Sequence, residues 1–320
     1  MSILRLISRR GLACLLSAAL CHGALCQGVQ ANNVQVALEG SLVTIFGDNA
    51  ANSILISQSA AGDFVVTGRT GTTVNGRPSV RFPRLQLNAA EIRMEGGNDF
   101  VTLRGVVTGN DLFIDLGAGA DRLTTSGPVT VGANLTIEGS AGNDTVQLTG
   151  MTVVEDMAIN GGQDALRAVL QGIDAGKSLT IIGEGANDTI SVTDSTVTEV
   201  LSIEAKGGTN KVDVDLVMTF ALAISTEAGV DTINVENLMA SEDIGVFTGP
   251  GNDLVTLTNV DSGKSITVSV DAGQDQVVGT AVSAAEDAVF EGGAGTDTIY
   301  DLGIVGGIKK DIKEFEVLLP

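Results

Sequence analysis

The chain has 320 residues, with 18 Lys+Arg against 39 Asp+Glu, 3 Cys, 1 His, 1 Tyr, no Trp and a formal charge of −21. That length can bury a large core without disulfides. So acidic a surface makes nucleic acid a poor partner.

Residues 1–31 read as an export signal. Arg5, Arg9 and Arg10 form a basic start, Gly11 to Leu25 is apolar, and Val29-Gln30-Ala31 supplies a cleavage site. Ser8-Arg9-Arg10-Gly11-Leu12 partly matches a twin-arginine signal, and two ordinary basic residues are the alternative, so the export route stays open. Cys21 and Cys26 each follow Leu, which argues against a lipoprotein anchor. The signal holds Cys14, Cys21, Cys26 and His22, so the mature chain has no thiol, no imidazole and a net charge of −24. His/Cys zinc sites, Ser-His-Asp and Cys-His nucleophiles, haem ligation by His or Cys and iron–sulfur clusters are thereby excluded. No apolar run of membrane-spanning length follows the signal. The expected location is exported: extracellular, cell surface or periplasmic.

From residue 32 onward the chain reads as one domain. Residues 32–51, where Val34, Val36 and Leu38 and then Leu42, Thr44 and Phe46 alternate, form an N-terminal cap or first coil. Residues 52–300 repeat. The anchors are Asn52, Asn75, Asp99, Asp121, Asp144, Asp164, Asp188, Asn210, Asp231, Asp253, Asp275 and Asp297, spaced by 20–24 residues and by about 22 on average. Gly stands two residues before most anchors, and Val101, Leu123, Val146, Ile190 or an equivalent apolar residue two after. Apolar pairs such as Leu112/Ile114, Leu135/Ile137 and Leu179/Ile181 precede the anchors, and their spacing of two is strand alternation. A weaker third segment, such as Val129-Thr130-Val131, lies between. Residues 301–320, the most charged stretch, read as a C-terminal cap that shields the last edge.

The pattern predicts an all-β, single-domain right-handed parallel β-helix of about 12 coils of about 22 residues. A β-sandwich also needs many short strands, but gives no reason for one recurring corner chemistry. The anchors share parity with the apolar residues two positions on, so they point inward. A stacked column of carboxylates needs compensation: capping by backbone N–H groups, protonation, or cations between coils.

Gly292-Gly293-Ala294-Gly295-Thr296-Asp297-Thr298-Ile299-Tyr300 matches the nonapeptide G-G-x-G-x-D-x-U-x in full, and Gly139-Ser140-Ala141-Gly142-Asn143-Asp144-Thr145-Val146 all but one Gly. Shorter versions occur at Gly117–Asp121, Gly185–Asp188 and Gly249–Asp253. These corners resemble the haemolysin-type (RTX-like) calcium-binding repeats of secreted bacterial proteins. The resemblance implies Ca²⁺ held by Asp99, Asp121, Asp144, Asp164, Asp188, Asp231, Asp253, Asp275 and Asp297. Turn carbonyls near Gly119, Gly142, Gly251, Gly273, Gly293 and Gly295 would complete the sites. It covers corners only: the family runs in tandem nine-residue units, whereas this chain has one such corner per 22 residues. Capping of the turn by Asp and Asn is the alternative.

Charge is uneven. Residues 69–122 hold seven Arg against six acids, and residues 123–320 hold 8 basic against 30 acidic residues. The arginines from Arg77 to Arg84 either recognise carboxylates or sulfates on an anionic polymer or offset the acidic remainder. Acids flanking the turns (Asp115, Glu138, Glu184, Glu204, Glu227, Asp271, Glu291) recur coil after coil, whereas a catalytic pair should break the repeat. The expected function is therefore a non-enzymatic, calcium-binding structural or adhesive module at the cell surface or outside the cell. Its expected partner is an envelope or extracellular polymer, or another protein. A polysaccharide lyase or hydrolase is the alternative.

Overall fold

A computed structural model describes residues 32–319; the export signal expected at residues 1–31 lies outside them. Among the described residues there is no helix. Parallel strands stack into a β-solenoid of about ten turns of about 22 residues.

One turn runs through Phe100–Arg104, Val107–Thr108 and Leu112–Asp115, then a Gly-rich corner leads to Arg122–Thr125. Each strand pairs in parallel with its equivalent one turn on. The weak third segment of the repeat is therefore a strand, and the turn has three faces. Further along, the strands fuse across their corners, as in Asp144–Val153 and Lys211–Thr226.

The interior follows the frame. Val101, Leu123, Val146, Ala168, Ile190, Val212, Ile233, Val255, Val277 and Ile299 lie in one register column. All ten are fully buried. Burying a side chain of the Val or Ile kind stabilises by about 1.5–3 kcal/mol. A one-residue slip would turn the whole column outward, so the register is strongly specified.

The corner between the first and second strands holds a feature that sequence reading missed. Its residue is left-handed in turn after turn, with φ between +48° and +62° at Gly105, Gly150, Gly172, Asp194, Leu216, Asn237, Asn259 and Ala281. Asn and Asp tolerate this region; Leu216 and Ala281 do not. Asn259 Nδ2 donates to Asn237 Oδ1 at 2.9 Å, which ties two of these corners together.

The N-terminal part departs from the frame. Asn33–Glu39 and Leu42–Phe46 form an antiparallel pair, and Leu42–Phe46 stacks in parallel on Ala89–Arg93. Ser53–Gln58 stacks directly on Phe100–Arg104. The chain between them leaves the solenoid as two antiparallel connections, to Phe64–Gly68 and then Ser79–Phe82. Asn75 therefore anchors no coil. Its side chain instead brackets the backbone of Val36, accepting the N–H and donating to the carbonyl, each at 2.8 Å. This excursion is one reason the turns number about ten and not twelve.

At the other end Lys309–Lys313 and Val317–Leu319 continue the stack on Asp287–Glu291 and Thr298–Gly306.

Candidate functional site: the aspartate column

Eight of the nine expected aspartates form an internal column. Each lends one carboxylate oxygen to the turn before it. The N–H of Asn52 donates to Asp99 Oδ1 at 2.6 Å, that of Asp99 to Asp121 at 2.6 Å, and that of Asp121 to Asp144 at 2.9 Å. Further on, Leu166, Asp188, Asn210, Asp231, Asp253 and Asp275 donate in turn to Asp188, Asn210, Asp231, Asp253, Asp275 and Asp297, at 2.7–2.9 Å. Glu316 Oε2 then accepts from Asp297 at 2.5 Å. Capping is thus by backbone N–H groups, but those of the neighbouring coil and not of the aspartate's own turn.

Asp164 is not in the column. Register pairs Asp144 with Leu166, which is buried, while Asp164 is exposed and accepts the N–H of Gly142 at 2.8 Å. With Leu166 in place the spacing on both sides is 22 residues. An apolar side chain offers no acceptor, so Asp144 donates its N–H to the Ala165 carbonyl at 3.0 Å.

The residue before the anchor completes the staple. Asn98, Asn143, Asn187 and Asn252 accept, through Oδ1, the N–H groups of Ala120, Ala165, Thr209 and Gln274 in the following coil at 2.8–3.1 Å. An Asn-Asp pair therefore ties its coil to both neighbours. The recurrence of Asn-Asp at four corners was the available signal for this role.

Glycine two residues before the anchor lets the coils approach. A Cβ on Gly273 would lie 1.4 Å from the Gly251 carbonyl oxygen, and one on Gly119 1.6 Å from that of Gly97. The same closeness recurs at Gly142, Gly251 and Gly295; Gly293 lies against the Asp271 carbonyl.

The second oxygen of each carboxylate defines the electrostatics. Oδ2 of Asp99, Asp121, Asp144, Asp188, Asp231, Asp253, Asp275 and Asp297 is buried and has no hydrogen-bond partner. Desolvation pushes Asp99 and Asp144 up to about 7 and Asp121, Asp188 and Asp275 up to about 6, against the bonded N–H groups that favour the charge. Asp231 and Asp253 are raised for the same reason. Asn210 shows what fits at Oδ2. It has the same shape as a protonated Asp, and its Nδ2 donates to the carbonyls of Ala205 at 3.1 Å and Gly207 at 2.8 Å. A donor is satisfied there, whereas a bare carboxylate oxygen would face other oxygens.

Calcium takes six to eight oxygens. Each turn supplies at most one column carboxylate, with one oxygen already spent on an N–H, and the turns of Leu166 and Asn210 supply none. Among the described residues no group of three or more acid, His or Cys side chains is arranged around a metal position. The side chains alone therefore do not make a calcium site, and turn carbonyls would have to supply most of the ligands.

Two outer features were not read from the sequence. Glu155, Lys177 and Glu199, and again Glu242, Lys264 and Glu286, stack at the corner before the third strand, with Phe220 between the two triplets. Lys177 pairs with Glu155, and Lys264 with Glu242. A groove of about 790 Å³ opens beside the N-terminal excursion, lined by Gln58, Arg84, Gln86, Asn88 and Val107 among others.

The chain matches no family profile, and no curated protein or solved structure is similar to it. No helix among the described residues is long and apolar enough to cross a membrane.

Proposed function

We propose that the chain is an exported, non-catalytic β-solenoid that serves as a structural or adhesive module at the cell surface or outside the cell. One observation carries this reading. The recurring Asp and Asn side chains are spent on bonds between successive coils, so the chemistry that repeats most often in the sequence builds the rod. The outer acids recur in columns beside lysines, as in the two Glu-Lys-Glu triplets, which suits a solvated stripe. The export signal at residues 1–31 supplies the location.

The column charge is balanced by protons or by calcium, and Asn210 favours the proton. The calcium reading draws on the RTX-like corners and on the unpartnered Oδ2 atoms.

The test incubates the mature chain with polygalacturonate, alginate and neutral glucans and follows unsaturated and reducing ends. The expected outcome is no release above a boiled control. Release that scales with protein concentration overturns the reading in favour of a lyase or hydrolase.

A further inference from the structure

The outer side of the first face is basic over its N-terminal half, although the chain as a whole is strongly acidic. Arg122 and Arg167 share a register row with Thr145 between them, so they stand about 10 Å apart. Arg104 lies in a second row with Ser57, Val65 and Arg81. From Ser79–Phe82 across to Thr193 the outward strand positions of this face carry no acid; Asp194, at the corner after Thr193, accepts from Gln171 Nε2 at 3.1 Å, and Asp213 and Asp215 follow one strand on. Asp99, Asp121, Asp144 and Asp188 sit on these same strands but face the interior. They do not neutralise the arginines outside.

Arg81 is paired with Asp63, but Arg104, Arg122 and Arg167 form no ion pair with an acid among the described residues. Arg122 lies over the Phe100 ring at 5.7 Å and donates to Gln147 at 3.0 Å; Arg104 donates to Ser126 at 3.3 Å. Arg167 is exposed. Fields from the acidic C-terminal half reach little of this face, because the Debye length is about 8 Å at physiological salt.

The groove lies at the edge of this face. Gln58 follows Ser57 of the Arg104 row, and Val107 comes just after Arg104. Arg84 lines the groove in a strained backbone, with φ +51°. Asp63 holds it there, accepting the Arg84 N–H at 3.1 Å and the Arg81 guanidinium at 2.5 Å. A non-glycine residue clamped in this region is strained and marks a constrained position. The Arg84 guanidinium itself bonds no acid.

We propose that this face and its groove bind an extended acidic polysaccharide, carboxylated or sulfated. Arg84 holds one anionic group in the groove, and Arg104, Arg122 and Arg167 hold others along the sheet. Threonine and serine between the arginines offer hydroxyls to the sugar rings, and arginine matches planar carboxylate or tetrahedral sulfate with two parallel N–H donors. This deepens the adhesive reading above and rests on it.

The test titrates the mature chain with oligogalacturonate, a heparin oligosaccharide and neutral dextran at low and physiological salt. Binding of either acidic sugar, weakened by salt and absent with dextran, is expected; the two acidic arms separate carboxylate from sulfate recognition. The triple variant R104E/R122E/R167E is expected to bind at least tenfold more weakly. Arg84→Gly removes the guanidinium and the strain together. It should lower affinity while holding or raising the melting temperature, a combination that a merely structural role would not give. K309E/K313E, at the far end, should bind as the parent does. No binding of either acidic sugar, equal binding by the triple variant, or equal binding of dextran overturns the proposal. So does tighter binding of a DNA oligonucleotide. Self-association that the triple variant loses, without sugar binding, assigns the face to a second copy of this chain and also overturns it. None of these outcomes touches the non-catalytic reading, which is decided separately by sugar release.

Discussion

The two halves of the solenoid share an interior and differ outside. From Asp188 to Asp297 the anchors follow at 21–22 residues, and nearly every turn repeats the same inward carboxylate and the same apolar column. Between Asn52 and Asp99 the chain leaves that frame for an antiparallel excursion, and there Arg81, Arg84 and the groove are found, while Arg104, Arg122 and Arg167 stand on the regular coils that follow. The repeat is thus a rule for the interior: outward positions are free to vary on regular coils, as at Arg122 and Arg167, and a groove is found where the rule lapses. Leu216, Met218 and Phe220 are exposed on Lys211–Thr226, one of the turns in which all three strands fuse, where Phe220 interrupts the charged corner; Met239, exposed on the next strand, pairs with Met218.

The largest expected effect that would break this comparison is collective. Asp99, Asp121, Asp144, Asp188 and Asp275 hold their protons up to about pH 6–7 in the folded chain, whereas an unfolded Asp gives them up near 3.8. Between those values the native state binds more protons, so stability is fully present below about pH 4 and is lost as pH rises through 6–7. Unfolding free energies from denaturant curves should fall from pH 5 to pH 8 by several kcal/mol in total, since each tenfold difference in proton affinity between folded and unfolded chain is worth about 1.4 kcal/mol. A stability that rises with pH sinks the proton reading. Millimolar Ca²⁺ should leave the pH 8 curve unchanged; a rise that a chelator reverses restores the calcium reading.

Next in size is Gly273→Ala. Its Cβ would meet the Gly251 carbonyl, and a loss of about 3 kcal/mol or more is expected. Gly76, in the excursion, has open space around its Cβ position and φ +70°, so Gly76→Ala should cost only about 1 kcal/mol. Equal losses would show that coil contact is not what the glycines serve.

Asp144→Asn sharpens the electrostatic half. An amide donates where the bare carboxylate oxygen cannot, so the variant should gain about 1–2 kcal/mol at pH 8 and little at pH 5. A loss at pH 8 counts against the proton. The smallest effect is at the left-handed corner: Ala281→Gly relieves φ +51° and should stabilise by up to about 1 kcal/mol in urea unfolding. No gain would mean that the corner is unstrained.

Much of the fold was legible because strand alternation and a fixed period are local signals. Val101 or Ile233 declares its inward face by parity alone. Two anchors were misplaced for one reason: they were recognised by residue type, while register is set by packing. Leu166 claimed the column because the interior accepts a leucine, and Asp164 was left at the surface. Asn75 kept the period by coincidence, since the strand just before it, Thr73–Val74, pairs with Asn33 and Val34 of the cap. The left-handed corner was hidden because Gly, Asp, Leu, Asn and Ala all occupy it. The arginine face was hidden because its members are 18 to 45 residues apart and meet only through the stacking of strands. Which carboxylate oxygen is bonded, and to which coil, has no sequence signal at all.

The hydrogen bonds of the column all run one way. Each anchor's N–H is met from the coil that follows, by a side chain everywhere but at Asp144, where the Ala165 carbonyl serves, so every coil is finished only by its successor. The last one, at Asp297, is closed by Glu316 in place of a further anchor. The rod is therefore an asymmetric polymer of turns with a terminator. Removing residues from its C-terminal end leaves one unmet donor wherever the cut falls, and a single well-placed glutamate is enough to end the series.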